Sequence, residues 1–253
     1  MLADFSLPSH QIVRSSLPPS ATNYKLTIIT VVKDDPEGLR KTLDSLNHIS
    51  SACFHSVVWI SSFSTNIANH IIDCDHPYTT FIVGRDTSIF HAMNCALHFC
   101  ESELVQFLNA GDYYINSLDI SSVHSPCLVP ITYIDFFGRI VNLSVRNSLT
   151  FGIPYCHQGM ILPASGLYFP LDLRFGSDYL SLLNLSISWP LPLLSTGRIF
   201  YDNNGFSSKN RGLSDVCTAR IIKNRFGLLN ALLFLAYSRV KLLIKFVYGI
   251  LLI

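Results

Sequence analysis

The pattern of apolar and polar residues opens with a buried strand followed by a helix. Leu26–Val32 is apolar on both faces and rich in β-branched residues, which is typical of a strand inside a parallel sheet. Asp34 or Asp35 then offers a helix N-cap, and Pro36 suits a first helical turn. Leucines recur behind it at the spacing of one helical face: Leu39, Leu43 and Leu46. The pattern therefore predicts a strand, a short loop and a helix.

The same alternation continues through the first half of the chain. It predicts strands at Val57–Ile60, Thr80–Val83 and Leu104–Asn109, and a helix over Ser88–Phe99. Strands that alternate with helices pair in parallel, and the helices cover both faces of the sheet. The first half therefore predicts an α/β domain with a mostly parallel central sheet.

The N-terminus and the second half follow a looser pattern. Residues 1–24 contain several serines and prolines and predict a flexible extension, so that order is expected to begin at Lys25. A hairpin is predicted within Cys127–Leu143, with Gly138 in its turn, and a helix is predicted from Ser177.

Composition narrows the class of protein. Of the 253 residues, 49% are apolar and only 14% are charged, which excludes disorder over most of the chain. The formal net charge of +1 excludes a chain that is basic as a whole, so no nucleic-acid partner is expected. The seven cysteines form no C-x-x-C pair and predict reduced thiols in a cytoplasmic protein. A zinc site at Cys95, His98 and Cys100 would lack a fourth ligand.

Positive charge is concentrated in the C-terminal tail. After Asp215 the chain has no acidic residue, and the apolar run Phe226–Tyr237 is well short of the roughly 20 residues that span a bilayer. A polar stripe follows on one helical face, at Ser238, Lys241 and Lys245. This pattern predicts that residues 225–253 form an amphipathic helix in the surface of an anionic membrane. A membrane-spanning segment and a core or dimer helix are the alternatives.

The loops that follow the predicted strands carry the candidate chemistry. In an open parallel sheet, ligands bind beyond the carboxyl ends of the strands. Those loops are residues 33–35, 61–66, 84–88 and 109–113, and three of them hold aspartates. Carboxylates are the oxygen ligands that a divalent cation prefers, and nucleotide phosphates can supply the others. The sequence therefore predicts a nucleotide and metal site at this edge of the sheet.

Several segments, taken in order, resemble the family 2 glycosyltransferases of the GT-A fold. The matching motifs are TIITVVKDDPEGLRKTLDSL (Thr27–Leu46), GRDTSIFHAMNCAL (Gly84–Leu97), FLNAGDYY (Phe107–Tyr114), PYCHQGMILP (Pro154–Pro163), FGSDYLSLLNL (Phe175–Leu185) and DNNGFSS (Asp202–Ser208). Each motif is short, and it is their order and spacing that match the family. The resemblance implies a GT-A domain over residues 25–215, with a nucleotide-sugar half (25–115) and an acceptor half (116–215). The basic tail is then residues 216–253.

The resemblance also implies a chemistry, which is inverting transfer of a sugar from a nucleotide-diphospho-sugar to an acceptor hydroxyl with Mg²⁺ or Mn²⁺. Asp112 is then the metal ligand, and Asp178 is the general base that takes the acceptor's proton. His157 and Gln158 match the pair that contacts the acceptor or the diphosphate. The residues implied to contact the nucleotide-sugar are Thr30, Val32, Asp34, Asp86 and Asn109. Capping a turn or a helix is the alternative role for Asp112 and Asp178.

The chain departs from the family pattern at three places. Ser61–Asn66 has no acid where the family has an Asp-Gly-Gly-Ser-Thr-Asp-like run that holds the nucleobase. The D-x-D region, Asn109–Asp112, keeps a single charged residue, and His91 replaces an aspartate before the Ala-Met-Asn run. These losses favour an alternative of another class, a catalytically degenerate subunit that keeps the fold and binds partner transferases at the membrane.

The resemblance and the basic tail together lead to one expected function. We expect a peripheral glycosyltransferase on the cytoplasmic face of the inner membrane. It would extend a lipid-linked saccharide during assembly of surface polysaccharide or of lipopolysaccharide O-antigen. Association into a homo-oligomer is left open.

Overall fold

The computed structural model describes residues 7–15, 24–49, 53–62, 78–135, 137–202 and 210–250. The strands within these ranges are β1 (His10–Ser15), β2 (Leu26–Val32), β3 (Phe54–Ser61), β4 (Thr79–Gly84), β5 (Leu104–Phe107), β6 (Tyr113–Asn116), β7 (Cys127–Leu128), β8 (Ile131–Ile134), β9 (Ile140–Asn142), β10 (Met160–Pro163) and β11 (Arg198–Phe200). The α-helices are α1 (Pro36–Ser45), α2 (Ile89–Leu97), α3 (Ser177–Asn184), α4 (Arg211–Phe226) and α5 (Leu228–Ile250).

The central sheet has seven strands in the order β1-β4-β3-β2-β5-β10-β7. Its four middle strands are parallel, and β1 and β10 pair antiparallel with their neighbours. The predicted α/β fold with a largely parallel sheet is therefore confirmed. Because β2, β3, β4 and β5 run the same way, the loops that follow them lie at one edge of the sheet.

A second sheet of four strands, in the order β6-β11-β8-β9, lies beside the first. Strands β8 and β9 form the predicted hairpin, and Gly138 lies in its turn with a φ of 74°, a conformation that favours glycine. The beginning of the predicted hairpin was wrong, because Cys127–Leu128 pairs with β10 in the central sheet instead. The second half of the chain thus contributes to both sheets.

The expectation of a flexible extension over residues 1–24 was wrong for His10–Ser15. These residues form β1, which pairs antiparallel with β4 at the edge of the central sheet and places His10 opposite Gly84. Polar and apolar side chains do not alternate regularly over His10–Ser15, so the sequence gives only a weak signal for a strand. The backbone hydrogen bonds to β4 stabilise this strand instead. Residues 1–6 and 16–23 lie outside the described residues.

Local sequence explains where the helices of the first half begin. The Asp35 carboxylate accepts a hydrogen bond of 2.9 Å from the Gly38 N–H at the start of α1, and Pro36 follows it. The Ser88 hydroxyl accepts one of 3.1 Å from the His91 N–H at the start of α2. Both caps orient apolar stripes of their helices towards the sheet, as predicted.

The buried apolar residues form two clusters. The main cluster surrounds the central sheet and includes Ile28, Ile29 and Trp59. The smaller cluster joins α3 to the hairpin of α4 and α5, and its buried members are Tyr179, Ala219, Ile221, Ile222, Ala231 and Phe234. The hairpin of α4 and α5, called the tail hairpin below, is thus packed on the domain through a core of its own.

The tail hairpin differs from the predicted amphipathic helix at Ser238, one member of the polar stripe. Ser238 is buried and donates a hydrogen bond to the Asp215 carboxylate on α4, so it faces the protein. Lys241 is exposed, and the Lys245 side chain lies outside the described part of the chain. The outward face of α5 is apolar, and its exposed members are Leu229, Leu232, Leu233, Val240 and Leu243. Among the described residues, no helix is both long enough and apolar enough to cross a bilayer.

Candidate active site

The turn after β5 is held in place by a threonine on α1. The Thr42 hydroxyl lies 2.8 Å from the carbonyl oxygen of Asp112 and accepts a hydrogen bond of 3.1 Å from the Gly111 N–H. Gly111 has a φ of 96°, which a side chain would strain. The turn therefore fixes Asn109 and Asp112 at the carboxyl end of β5. Sequence reasoning missed Thr42, since a threonine within a helix gives no signal of this role.

Asp112 is a buried carboxylate, with 4% of its surface exposed. Its Oδ1 accepts a hydrogen bond of 2.9 Å from the backbone N–H of Asp202. Burial raises the pKa of the Asp112 carboxyl to about 7, although the Asp202 N–H, His157 and the Gln158 side chain act in the opposite direction. The structure therefore places Asp112 against His157 and Gln158, which come from the other half of the domain.

His157 joins the two halves of the site. Its Nδ1 lies 3.4 Å from Oδ2 of Asp178, and its Nε2 lies 3.5 Å from Nδ2 of Asn109. Asn109 follows β5, whereas Asp178 lies in the first turn of α3. The structure thus brings five of the predicted site residues together: Asn109, Asp112, His157, Gln158 and Asp178.

Asp178 is oriented by the start of its own helix. Gly176 precedes α3 with a φ of 78°, in the left-handed region, and Oδ1 of Asp178 accepts a hydrogen bond of 2.9 Å from the Tyr179 N–H. The side chain of Asp178 is 21% exposed, as is that of His157. One oxygen of Asp178 therefore holds the helix start, and the other faces His157 in a site that a substrate can reach.

Gln158 is anchored to β5 through its backbone. The Gln106 side chain donates a hydrogen bond of 2.7 Å to the Gln158 carbonyl oxygen, and the Tyr114 hydroxyl lies 2.5 Å from the Gln106 Oε1. Gln106 and Tyr114 are both buried. The acceptor-loop pair is therefore positioned by polar groups inside the core of the nucleotide-sugar half.

Asp86 lies apart from this group, beyond the end of β4. Its Oδ2 accepts a hydrogen bond of 3.2 Å from the indole N–H of Trp59. A Cβ on Gly84 would come within 2.2 Å of the Trp59 ring, so glycine makes room for the indole. Sequence reasoning missed Trp59, although a glycine at the end of a strand close to a candidate aspartate was an available signal.

The remaining predicted nucleotide contacts lie at the end of β2. Thr30 is buried, and its hydroxyl has no hydrogen-bond partner among the residues that the structure describes; Val32 is buried and Asp34 is exposed with a φ of 56°. Ser61, at the end of β3, is buried, and its hydroxyl likewise has no partner within the described ranges. The rest of the Ser61–Asn66 run, from residue 63 onward, lies outside the described residues.

The site residues partly fit a divalent cation. Among the described residues, no group of three His, Cys, Asp or Glu side chains is placed to hold a metal ion. Within the described part of the chain, the buried Oδ1 of Asn109 has no hydrogen-bond partner. This oxygen is therefore available as an acceptor three positions before Asp112. A cation would favour the ionised form of Asp112, which burial opposes. One carboxylate and one amide oxygen suit a cation that takes its other ligands from a diphosphate.

Several solved glycosyltransferases share this architecture. Staphylococcus aureus TarS 1–349 has a TM-score of 0.54 at 16% identity, over 79% of this chain and 66% of TarS 1–349. The fold is that of a GT-A-like glycosyltransferase. The mannosyltransferase PcManGT from Pyrobaculum calidifontis, solved with GDP-Man and Mn²⁺, has a TM-score of 0.57 at 14% identity, over 95% of this chain and 84% of its own. TarS was also solved with UDP-GlcNAc, and that structure has a TM-score of 0.56 at 16% identity.

These similarities establish the GT-A-like fold alone, because all three sequence identities are low. The chain spans just under two thirds of the length of TarS 1–349, at 66%. Neither a protein-family model nor a curated protein matches the sequence. The fold predicted from the motifs is therefore confirmed, and the roles of the individual site residues stay predictions.

Proposed function

We propose that this protein transfers a sugar, with inversion, from a nucleotide-diphospho-sugar to an acceptor hydroxyl. The observation that carries the proposal is the group formed by Asp112, His157 and Asp178 within a GT-A-like fold. The nucleotide-sugar half supplies a buried carboxylate, and the acceptor half supplies a second, accessible one. Sugar transfer needs one group on the donor side, for the departing diphosphate, and another on the acceptor side, for the hydroxyl proton.

Asp178 is the general base in this proposal. Its Oδ2 takes the proton from the acceptor hydroxyl as the new glycosidic bond forms on the face of the sugar opposite the leaving diphosphate. His157, at 3.4 Å from that oxygen, orients the carboxylate. The hydrogen bond from the Tyr179 N–H to Oδ1 fixes the rotamer. The base is therefore held at both oxygens, while its exposed side remains open to the acceptor.

The donor is bound on the other side of His157. Asp112, with the unpaired Oδ1 of Asn109, would hold Mg²⁺ or Mn²⁺. Such an ion, when bound, neutralises the charge that develops on the departing diphosphate. Asp86 would bind the nucleoside, and Thr30, Val32 and Asp34 would line the nucleobase pocket at the end of β2; this set of residues rests on the family resemblance.

The acceptor in this proposal is a lipid-linked saccharide at the cytoplasmic face of the inner membrane. The outward face of α5 is apolar, and Leu229 near its N-terminal end is 70% exposed. Exposed cations flank it, and they include Arg225 and Arg239. An apolar face with neighbouring cations suits the surface of an anionic bilayer. Peripheral attachment would place the site beside acceptors used in surface polysaccharide or O-antigen assembly.

A screen of donors tests the transferase function. The full chain, with vesicles of anionic phospholipid, is incubated with UDP- and GDP-sugars in the presence of Mn²⁺ or Mg²⁺, and release of nucleoside diphosphate is measured. We expect release with at least one donor. In Asp178→Asn the rate should fall by at least about a hundredfold, and in Asp112→Asn the dependence on metal should be lost. Absence of release and of nucleotide binding with every donor would refute the proposal.

A catalytically degenerate subunit is the second candidate. The absence of acids in Ser61–Asn66 favours it, as does the pKa of about 7 that burial gives Asp112, since a protonated carboxyl is a poor metal ligand. Such a subunit would bind partner transferases at the membrane without turnover. Calorimetry with UDP and GDP in the presence and absence of Mn²⁺ separates the two candidates, because only the enzyme needs metal-dependent nucleotide binding.

A further inference from the structure

Both hydrophobic clusters support the acceptor half of the proposed site, whereas the nucleotide-sugar half is supported by the main cluster. Asn109 and Asp112 are fixed by β5 and α1, which belong to the main cluster around the central sheet. Asp178 lies on α3, and Tyr179 beside it is a buried member of the smaller cluster formed with the tail hairpin. The surroundings of the proposed base are therefore built in part by α4 and α5.

The tail hairpin contacts α3 at both ends. A Cβ on Gly176, two residues before Asp178, would come within 2.9 Å of the Ile221 side chain, so α4 packs directly on the start of α3. At the other end, the Arg225 guanidinium donates a hydrogen bond of 3.2 Å to the carbonyl oxygen of Leu183. Helix α3 has eight residues and is too short to be stable alone, so these contacts fix its position together with Leu182, which packs in the main cluster.

The loop that leads to His157 also rests on the tail hairpin. A Cβ on Gly152 would lie 3.2 Å from Thr218 on α4 and 3.3 Å from Phe234 on α5. The Tyr179 hydroxyl donates a hydrogen bond to the Leu149 carbonyl oxygen, which ties this loop to α3. Both members of the His157–Asp178 pair are thus carried by segments that pack on the same hairpin.

We propose that the tail hairpin positions the proposed general base, and that Ile221 and Tyr179 are its positioning residues. Ile221 sets the start of α3 through Gly176, and Tyr179 fixes α3 against the loop that carries His157. The donor side is independent of the hairpin because its supports belong to the main cluster. This inference rests on the transferase function proposed above, and it gives the tail a role beyond attachment to a membrane.

The test compares Ile221→Ala with Leu213→Ala in the full chain. Both substitutions remove the same number of carbons from α4, but Ile221 is buried against α3 whereas Leu213 is 57% exposed. With the donor that the screen identifies, we expect Ile221→Ala to lower kcat by about tenfold to a hundredfold, because small displacements of a reacting group have effects of this size. The KM for the donor should stay within about twofold, and Leu213→Ala should match the parent.

Two milder variants guard against simple misfolding. Ile221→Leu keeps the side-chain volume and a terminal methyl group that can reach Gly176, so it should restore kcat to within about threefold of the parent. Tyr179→Phe keeps the buried ring and loses only the hydrogen bond to Leu149, so it should lower kcat without a change in donor KM. Equal losses in kcat and in donor affinity, or an unchanged kcat in Ile221→Ala, would overturn the proposal.

Amide hydrogen exchange tests the positioning role without any turnover. In Ile221→Ala we expect faster exchange at amides of α3, such as Leu180, and of the loop at Gly152, with unchanged exchange at Ile28 and Ile29 of β2. Unchanged exchange in α3 would refute the positioning role even if transfer is observed. If no donor is turned over, the function fails, while the exchange result still decides whether the hairpin holds α3.

Discussion

Replacement of Asp178 by asparagine tests the proposed chemistry most directly. Asparagine has nearly the same size and keeps an oxygen that can accept the hydrogen bond of 2.9 Å from the Tyr179 N–H. The start of α3 should therefore be preserved. The variant loses the negative charge opposite His157 and loses the ability to take a proton.

The expected effects on stability and on catalysis differ greatly in size. A partly exposed ion pair and a carboxylate in the first turn of a helix each contribute up to about 1 kcal/mol, so the free energy of unfolding should fall by no more than roughly 1–2 kcal/mol. A positioned general base accelerates proton transfer by roughly 10²- to 10⁴-fold, which corresponds to about 3–5 kcal/mol of barrier. We therefore expect kcat to fall at least about a hundredfold while the chain remains folded.

The assay is steady-state transfer to a lipid-linked or synthetic acceptor, combined with separate measurement of donor binding by calorimetry. Donor affinity should stay within about twofold, because Asp178 comes from the acceptor half. Asp119→Asn is the matched control, since Asp119 also caps a short helical turn and accepts a hydrogen bond of 2.9 Å from the Ser121 N–H. A kcat in Asp178→Asn within about threefold of the parent would remove Asp178 from the mechanism.

Three further predictions concern Asp112, the turn before it and the tail. Because burial raises the pKa of Asp112 to about 7, ionisation of this carboxyl opposes folding. Without metal, the stability of Asp112→Asn relative to the parent should therefore increase as the pH rises from about 4 to 7. The same variant should lose Mn²⁺-dependent nucleotide binding, measured by calorimetry. The reasoning fails if the stability difference does not change with pH. Thr42→Val removes the hydroxyl that bonds the Gly111 N–H and the Asp112 carbonyl oxygen, and it should lower the free energy of unfolding in urea by roughly 2 kcal/mol. Thr42→Ser keeps the hydroxyl and should lower this free energy by less. Equal decreases in the two variants would contradict the role of these hydrogen bonds. Leu229→Glu should reduce sedimentation with anionic vesicles, whereas Leu213→Glu on α4 should not; equal binding of both variants would argue against the α5 face as the membrane contact.

The central sheet could be predicted because its strands bury both faces. Leu26–Val32 is fully buried along its length, so its β-branched composition alone identified the strand within its observed bounds. The helix at Ile89–Leu97 lies within the predicted Ser88–Phe99, and six of its nine residues are buried. In these elements the local sequence favours the same secondary structure that the tertiary structure contains. The order of strands and helices along the chain could therefore be predicted.

The site could be predicted only in part. Asn109, Asp112, His157, Gln158 and Asp178 were found through motifs, and the structure brings them together, but their proximity depends on how the two halves pack. The supporting groups were missed because they act across long separations in sequence. The hydroxyl of Thr42 binds a turn that lies 70 residues further along the chain, and no local pattern carries that information.

The prediction for the tail was wrong at Ser238, because helical periodicity identifies a polar stripe without showing which of its members face a neighbouring helix. Ser238 was expected on a water-facing side, yet Asp215 on the neighbouring helix supplies its hydrogen-bond partner inside the hairpin. The same holds for the N-terminal strand, which gains its backbone partners from β4, more than 60 residues away.

Strand β1 covers the edge of β4, and this protects the molecule from association with other copies of itself. Thr79–Gly84 is largely buried, and its apolar members Phe81 and Ile82 have no exposed surface. Shortening the chain from its N-terminus past Ser15 would leave the backbone N–H and C=O groups along one side of β4 unpaired. An apolar strand with a free edge is a template for intermolecular pairing and aggregation. Purification of a shortened form should therefore yield soluble aggregates, because His10–Ser15 would no longer cover the edge of β4.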